Sequence, residues 1–128
     1  MYSSTCDNGS FKTVLLIDDS PIIQEMLMHI CQLSSFTLHQ QSSSNTVLDQ
    51  FNESQYDMVI SDWFFDVPGI HKILEIKKKI TCQSFIVLTS KWMSLEHRKQ
   101  LFMNNILYLK KPILMGRLLR YIHQELSL

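Results

Sequence analysis

Short apolar runs that end in polar side chains constrain the fold of this sequence more than any other feature. The first run, residues 14–17, is an unbroken stretch of aliphatic side chains and is typical of a strand buried on both faces. Asp18 and Asp19 follow it directly, and carboxylates beside a buried strand are costly unless a cation or another partner satisfies them. Three later apolar runs end similarly, the first at Asp62, the second at Thr89 and the third at Lys110-Lys111.

Helical segments alternate with these runs, and the alternation predicts the fold class. Ser20 can cap the first helix, and Pro21 occupies the first helical position, where a missing N–H is tolerated. Strands interleaved with helices form right-handed crossovers, so we expect a five-stranded, doubly wound parallel α/β sheet with five helices on both faces. We predict strands at residues 12–17, 36–40, 56–61, 84–88 and 106–109, and helices near residues 21–33, 46–53, 70–79, 95–103 and 114–126.

The length and composition fit one compact domain. The chain has 128 residues, of which 45% are hydrophobic, and a chain of this size can bury a substantial core. We expect residues 1–10, which are mostly polar, to form a mobile tail, and residues 11–128 to form a single domain. The 12 basic and 12 acidic side chains cancel, so no overall field would attract nucleic acid or an anionic membrane.

The cysteine spacing and the apolar segments bear on where the protein works. Cys6, Cys31 and Cys82 are odd in number and form no Cys-x-x-Cys motif, which favours free thiols in a reducing compartment. No apolar segment of the sequence approaches the ~20 residues that a membrane-spanning helix requires, and the first residues do not resemble a secretory signal. We therefore expect a cytoplasmic protein.

The polar residues at the strand ends suggest a site for a metal ion and a phosphoryl group. Because the carboxyl ends of parallel strands lie at one edge of the sheet, Asp18, Asp19 and Asp62 are expected to converge there. Mg²⁺ commonly uses one or two carboxylates together with waters and substrate phosphate. Thr89 would add a hydroxyl donor and Lys111 a positive charge, which suits phosphoryl transfer. Neighbours in a strand point to opposite faces, so Asp18 and Asp19 can share one ion only if the chain turns after the strand.

Four pieces of the sequence, in this order and spacing, resemble the receiver domain of two-component response regulators. They are residues 15–20 (Leu-Leu-Ile-Asp-Asp-Ser), 59–62 (Val-Ile-Ser-Asp), 87–90 (Val-Leu-Thr-Ser) and 108–112 (Tyr-Leu-Lys-Lys-Pro). The resemblance extends over residues 12–126, nearly the whole chain. It implies a flavodoxin-like sheet with strand order 2-1-3-4-5 and a site beside the switch point of that sheet.

The resemblance implies a role for each acid at this edge. Asp62 matches the phosphoacceptor, which takes a phosphoryl group from a histidine kinase or a phosphotransfer protein. Asp18 and Asp19 match the family's metal-binding acids, Asp19 as a direct ligand and Asp18 acting through water. Asp62 and the backbone carbonyl of Phe64 would complete the ligand set for Mg²⁺. The implied function is phosphorelay signalling through a conformational change, and not an enzymatic activity.

The resemblance also implies a switch and its partners. Thr89 and Lys111 match the hydroxyl and the ammonium that contact the phosphoryl group. Thr89 and Tyr108 match the pair that rearranges on activation. We expect the face made by the fourth predicted helix, the fifth strand and the fifth helix to contact a downstream protein or a second copy of the chain.

The loop after Asp62 departs from the family pattern. Asp66 occupies the position of a common proline and would place extra negative charge near the site. Ile70 occupies the position of a common glycine, and Pro68-Gly69 stand earlier, so we expect a rebuilt loop that is one residue shorter. Asn104 replaces a glycine expected before the fifth strand, and asparagine tolerates the left-handed conformation better than most residues.

Two other functions fit parts of the pattern. A protein-interaction module on the same fold would keep the acids and signal without phosphorylation, and Mg²⁺-dependent labelling by a phosphodonor distinguishes it. A small Asp-dependent phosphatase of the haloacid dehalogenase type also has an aspartate at a strand end. That family needs Asp-x-Asp, whereas Ser20 stands two residues after Asp18.

Overall fold

The computed structural model describes residues 4–6, 12–42, 54–63 and 69–128. In this part of the chain a single sheet has six strands in the order β1-β3-β2-β4-β5-β6. The strands are β1 (Ser4–Cys6), β2 (Thr13–Ile17), β3 (Thr37–Gln41), β4 (Gln55–Asp62), β5 (Thr81–Thr89) and β6 (Ile106–Lys110).

The five strands β2 to β6 are parallel to one another, and their order confirms the predicted 2-1-3-4-5 arrangement of a flavodoxin-like sheet. β2 lies between β3 and β4, so the chain moves first to one side of β2 and then to the other. This reversal places the carboxyl ends of β2 and β4 side by side, with Ile17 opposite Ser61. The residues that follow these two positions are Asp18 and Asp62.

Residues 4–6, part of the predicted tail, form a strand at the edge of the sheet. β1 pairs antiparallel with β3, from Ser4 opposite Gln40 to Cys6 opposite Leu38. The prediction considered the polar side chains of the segment, whereas an edge strand such as β3 offers backbone N–H and C=O groups to any segment that reaches it. The other residues of the predicted tail lie outside the described residues.

The described ranges contain four helices, α1 (Pro21–Leu33), α2 (Gly69–Lys79), α3 (Leu95–Met103) and α4 (Met115–Leu126). The second of the five predicted helices, at residues 46–53, lies outside the described residues. None of these four helices combines the length and the apolar character that crossing a membrane requires.

Serine caps fix the starts of two helices at the predicted positions. Ser20 accepts a hydrogen bond from the backbone N–H of Ile23 at 3.4 Å, and Pro21 begins α1. Ser94 accepts one from the backbone N–H of His97 at 3.1 Å and begins α3. Each cap satisfies a backbone donor that the first helical turn leaves without an internal partner.

The left-handed residue after α3 is not the one that the sequence suggested. Asn104 caps the helix with a φ of −103°, and its amide donates to the carbonyl of Gln100. Asn105 has the positive φ, 59°. The left-handed residue thus comes one position later than expected, directly before β6.

Alternate residues of each central strand enter separate cores on the two faces of the sheet. Val14 and Leu16 of β2 pack in the core that α1 and α4 cover, whereas Leu15 and Ile17 pack in the core that α2 and α3 cover. All four side chains are fully buried. Burial of an aliphatic side chain contributes about 1.5–3 kcal/mol, so these central strands are a rigid base for the residues at their ends.

Candidate functional site

Three carboxylates converge at the carboxyl edge of the sheet. Asp18 follows β2, and Asp62 is the last residue of the neighbouring strand β4. Asp18, Asp19 and Asp62 each provide one carboxylate oxygen, and these atoms all lie within 4.8 Å of one another. Asp18 is buried, Asp62 is partly buried and Asp19 is exposed, so the cluster opens to solvent on the side of Asp19.

A turn directly after β2 brings Asp18 and Asp19 to the same side. The side chain of Asp18 accepts a hydrogen bond from the backbone N–H of Ser20 at 2.9 Å, a local bond that favours a turn. The backbone N–H of Asp18 donates to the carbonyl of Gln41 at 3.0 Å, and its carbonyl accepts from the side chain of Gln24 at 2.8 Å. The strand therefore ends at Ile17, and the turn that a shared ion requires is present.

Lys111 pairs with two of the three acids. Its Nζ donates to Oδ2 of Asp18 and to Oδ1 of Asp62, each at 3.0 Å. The backbone N–H of Lys111 donates to the carbonyl of Thr89 at 2.6 Å, and the peptide bond between Lys111 and Pro112 is cis. The backbone and the side chain of Lys111 are thus both hydrogen-bonded, and the ammonium is held between the ends of β2 and β4.

The cluster has excess negative charge. Burial raises the pKa of Asp62 and the charge of Asp18 raises it further, while the hydrogen bond and charge of Lys111 oppose this rise without cancelling it. Burial alone would lower the pKa of Lys111, but the charge of Asp18 and the hydrogen bonds to both acids outweigh burial and raise it. Lys111 is therefore cationic at neutral pH, and one ammonium faces three carboxylates.

The donor set of this cluster fits Mg²⁺. All the side-chain donors are carboxylate oxygens, which are the ligands that hard divalent cations prefer, and Mg²⁺ typically takes one or two of them and keeps waters in its other positions. Asp19 is exposed, so waters and a phosphate oxygen can reach the cluster from that side. The predicted carbonyl ligand, Phe64, lies outside the described residues, as does Asp66.

Thr89 lies at the same edge, but its hydroxyl faces its own loop. Thr89 is fully buried at the end of β5, in the strand next to that of Asp62. Its hydroxyl accepts a hydrogen bond from the backbone N–H of Lys91 at 3.1 Å and donates to the carbonyl of Lys91 at 3.2 Å. Tyr108 lies on β6 opposite Val87, and its side chain is partly exposed.

Trp63 is part of this site, although the sequence predicted only a bulky neighbour of Asp62. Its backbone N–H donates to the carbonyl of Leu88 at 3.1 Å, and its side chain is 9% exposed. The indole packs on the ring of His97 in α3 with 5.4 Å between ring centroids, and it lies against Gly69 at the start of α2. The Pro68-Gly69 pair predicted a rebuilt loop, but nothing in the sequence indicated the contact of Trp63 with His97.

Comparisons with known proteins agree with this geometry. Residues 14–123 match the sequence model of the response regulator receiver domain. The chain belongs to this family. No curated protein matches it.

Solved receiver domains also match the fold. A CheY-like receiver domain from Methanospirillum hungatei JF-1 has a TM-score of 0.74 at 19% identity and covers 92% of this chain and 95% of its own. A response regulator from Thermotoga maritima has a TM-score of 0.70 at 19% identity, with 91% and 98% covered. The chemotaxis protein CheY4 of Vibrio cholerae has a TM-score of 0.67 at 21% identity, with 90% and 98% covered. At these identities the likeness concerns the fold.

This chain is therefore a response regulator receiver domain of a two-component system. Receiver domains are in general signalling modules that interact with histidine kinases or phosphotransfer proteins and with downstream partners. They bind Mg²⁺ at an acidic pocket, and the three aspartates of this chain form a cluster that could hold a metal ion.

Proposed function

We propose that Asp62 accepts a phosphoryl group from a histidine kinase or a phosphotransfer protein. The observation that carries this proposal is the position of Lys111, whose Nζ lies 3.0 Å from Oδ1 of Asp62 and from Oδ2 of Asp18. A carboxylate nucleophile must approach an anionic donor, and a fixed ammonium beside it reduces that repulsion.

The reaction is a nucleophilic displacement at phosphorus. An oxygen of the Asp62 carboxylate attacks the phosphorus of a phosphohistidine, and an acyl phosphate forms. The P–N bond breaks, and its electron pair stays on the imidazole, which takes up a proton. The ammonium of Lys111 opposes the rise in the pKa of Asp62 and so favours its reactive, ionised form. Mg²⁺ held by Asp18, Asp19, Asp62 and the carbonyl of Phe64 would neutralise charge on the phosphoryl oxygens.

Thr89 and Tyr108 form the switch in this proposal. The hydroxyl of Thr89 donates to the carbonyl of Lys91, so it must leave that acceptor before it can donate to a phosphoryl oxygen on Asp62. Movement of Thr89 and Ser90 toward Asp62 would open space into which Tyr108 turns. The phosphoryl group favours this rearranged state because it makes stronger contacts in that state than in the state with Thr89 bonded to Lys91.

The face made by α3, β6 and α4 is the output surface in this proposal. Several large apolar side chains are exposed on these elements or at their ends, and exposed apolar patches mark interaction sites. A downstream protein or a second copy of this chain would bind there once Tyr108 has turned. The exposed side chains are Leu95, Phe102, Met103, Leu107, Tyr108, Leu114 and Met115.

Intact-mass analysis tests the acceptor. Acetyl phosphate with Mg²⁺ should add one phosphate mass to the wild-type protein and none to Asp62→Asn. Asp57→Asn is the matched control, because Asp57 lies on the same strand but bonds Thr13 at the opposite end of it. Labelling that persists in Asp62→Asn would identify another acceptor, with Asp66 the first to examine. An unlabelled wild type would favour the phosphorylation-independent interaction module.

Light scattering tests the output surface. Beryllofluoride with Mg²⁺ mimics the phosphoryl group, and we expect it to promote self-association of the wild type. Tyr108→Ala should bind the mimic but no longer associate in response to it. Association that is the same with and without the mimic would contradict a homodimer that depends on activation, and a downstream protein would remain the proposed partner.

A further inference from the structure

The loop between β5 and α3, residues 90–94, is held by one side chain from the neighbouring strand. Lys110 is the last residue of β6, and its Nζ donates to the carbonyl of Ser90 at 2.9 Å. The same Nζ lies 5.1 Å from the centroid of the Trp92 ring, a cation–π contact. Ser90 and Trp92 flank Lys91, whose backbone N–H and carbonyl bond the hydroxyl of Thr89. One ammonium therefore holds the loop on both sides of the residue that binds Thr89.

The contacts of Lys110 and the hydrogen bonds of Thr89 belong to one arrangement of this loop. If the hydroxyl of Thr89 turns to Asp62, the backbone of Lys91 loses both of its bonds to that hydroxyl. These two bonds are partly buried, and we expect the loop to shift so that both groups of Lys91 find new partners. A shift at Lys91 carries Ser90 and Trp92 with it and removes them from Lys110. Contacts made in one state only are what bias a two-state equilibrium.

We propose that Lys110 is a positioning residue that holds the loop with Thr89 turned away from Asp62 and so opposes activation. This inference rests on the proposed function of Asp62. Lys110 acts on Thr89 through the loop, and Lys111, its neighbour in the chain, acts on the acids directly. Two consecutive lysines thus have opposed roles. Lys111 favours phosphorylation of Asp62, and Lys110 favours the unphosphorylated state.

Three variants test whether the contacts of Lys110 with Ser90 and Trp92 hold the loop. Lys110→Met keeps most of the apolar length of the side chain and removes both the donor and the charge. Lys110→Arg keeps a cation that can donate to Ser90 and stack on Trp92, so it should restore the wild-type behaviour. Lys99→Met removes a charge from an exposed position on α3 and is the matched control.

Amide hydrogen exchange without metal or phosphodonor gives the first readout. The N–H of Lys91 donates to Thr89, so its protection reports how firmly the loop holds this bond. We expect exchange in Lys110→Met to be about three- to tenfold faster, as loss of an exposed cation–π contact and one charged hydrogen bond implies. Lys110→Arg and Lys99→Met should exchange like the wild type. Unchanged exchange in Lys110→Met would overturn the inference.

The affinity for beryllofluoride with Mg²⁺, measured by calorimetry, gives the second readout. Lys110→Met should bind the mimic about three- to tenfold more tightly than the wild type, because release of the loop lowers the cost of the activated state. Trp92→Ala should show part of this gain, and adding Lys110→Met to it should give less than the sum of the two effects. Equal or weaker binding by Lys110→Met would overturn the inference while leaving the proposed function in place. A wild type that does not bind the mimic would overturn both.

Discussion

Asp18 and Lys111 are 93 residues apart in the sequence, and their side chains meet at 3.0 Å. The pair joins the turn after β2 to the segment after β6, the first and last strands of the parallel sheet along the chain. The carboxylate of Asp18 is fully buried, whereas the side chain of Lys111 is 19% exposed. A buried carboxylate with a single ammonium beside it depends on that ammonium, because an uncompensated buried charge is costly.

Lys111→Met should therefore destabilise the fold as well as impair phosphorylation. It leaves Asp18 and Asp62 close together without their cation, and we expect the free energy of unfolding at pH 7 without metal to fall by about 2–3 kcal/mol. Urea unfolding followed by circular dichroism measures this change, with Lys99→Met as the surface control. Mg²⁺ should recover part of the loss. A loss of the same size in Lys99→Met would show that the two carboxylates are not its cause.

Asp62→Asn should have the opposite effect on the metal-free protein. Burial and the charge of Asp18 raise the pKa of Asp62 above 3.8, so this carboxyl binds more protons in the folded than in the unfolded chain. Its contribution to stability therefore falls as the pH rises from 3.8 through the folded pKa. Above this window, Asp62→Asn should be more stable than the wild type by about 1 kcal/mol, and below it the two should be equal.

Urea unfolding in EDTA at both ends of that pH range checks this sign. A less stable Asp62→Asn at pH 7 would mean that the attraction to Lys111 outweighs burial. Excess Mg²⁺ should reverse the order, because a ligand stabilises the folded state that binds it and Asp62→Asn has lost a ligand group. Asp57→Asn, on the same strand, should show no such reversal.

The fold and the position of the site were predictable because they depend on short-range sequence patterns. The apolar runs before Asp18, Asp62 and Thr89 are short and contain β-branched residues, which favours buried strands. The helices between these strands make the strands parallel. In such a sheet the strand ends share an edge, so the convergence of Asp18 and Asp62 follows from topology. The predicted helix start at Ser20-Pro21 indicated the turn that places Asp19 beside Asp18.

The features that the sequence did not predict arise from contacts without a local pattern. β1 depends on backbone hydrogen bonds to β3, which leave no periodicity in residues 4–6. Trp63 directly follows β4 and His97 is in α3, and these two segments meet only in the folded protein. Lys110 was predicted only as a neighbour of Lys111, because the partner that defines its role, Ser90, is on another strand's loop.

Asp19→Asn should weaken Mg²⁺ binding with little effect on the metal-free fold. Asp19 is exposed, so its charge costs little without metal, and its oxygen lies within 4.8 Å of those of Asp18 and Asp62. Removal of one of three anionic ligand groups should raise the Kd for Mg²⁺ roughly tenfold. The shift of the unfolding temperature with Mg²⁺ concentration measures this Kd. Asp57→Asn is the control, and an unchanged Kd in Asp19→Asn would exclude Asp19 from the ligand set.

Gly69→Ala should displace Trp63 from its place beside Asp62. A Cβ at residue 69 would lie 2.6 Å from Cε2 of the indole, and the ring of His97 lies against that indole, so the ring has little freedom to move. Overpacking of this kind costs about 1–3 kcal/mol. Gly116→Ala is the matched control: apart from the adjacent residues and the backbone of the same helix, no atom lies within 4 Å of the added methyl group, and alanine should stabilise α4 by about 0.5–1 kcal/mol. Urea unfolding should thus move the two variants in opposite directions, and phosphodonor labelling should slow in Gly69→Ala alone. If Gly69→Ala is as stable as Gly116→Ala, Trp63 is not fixed by this contact.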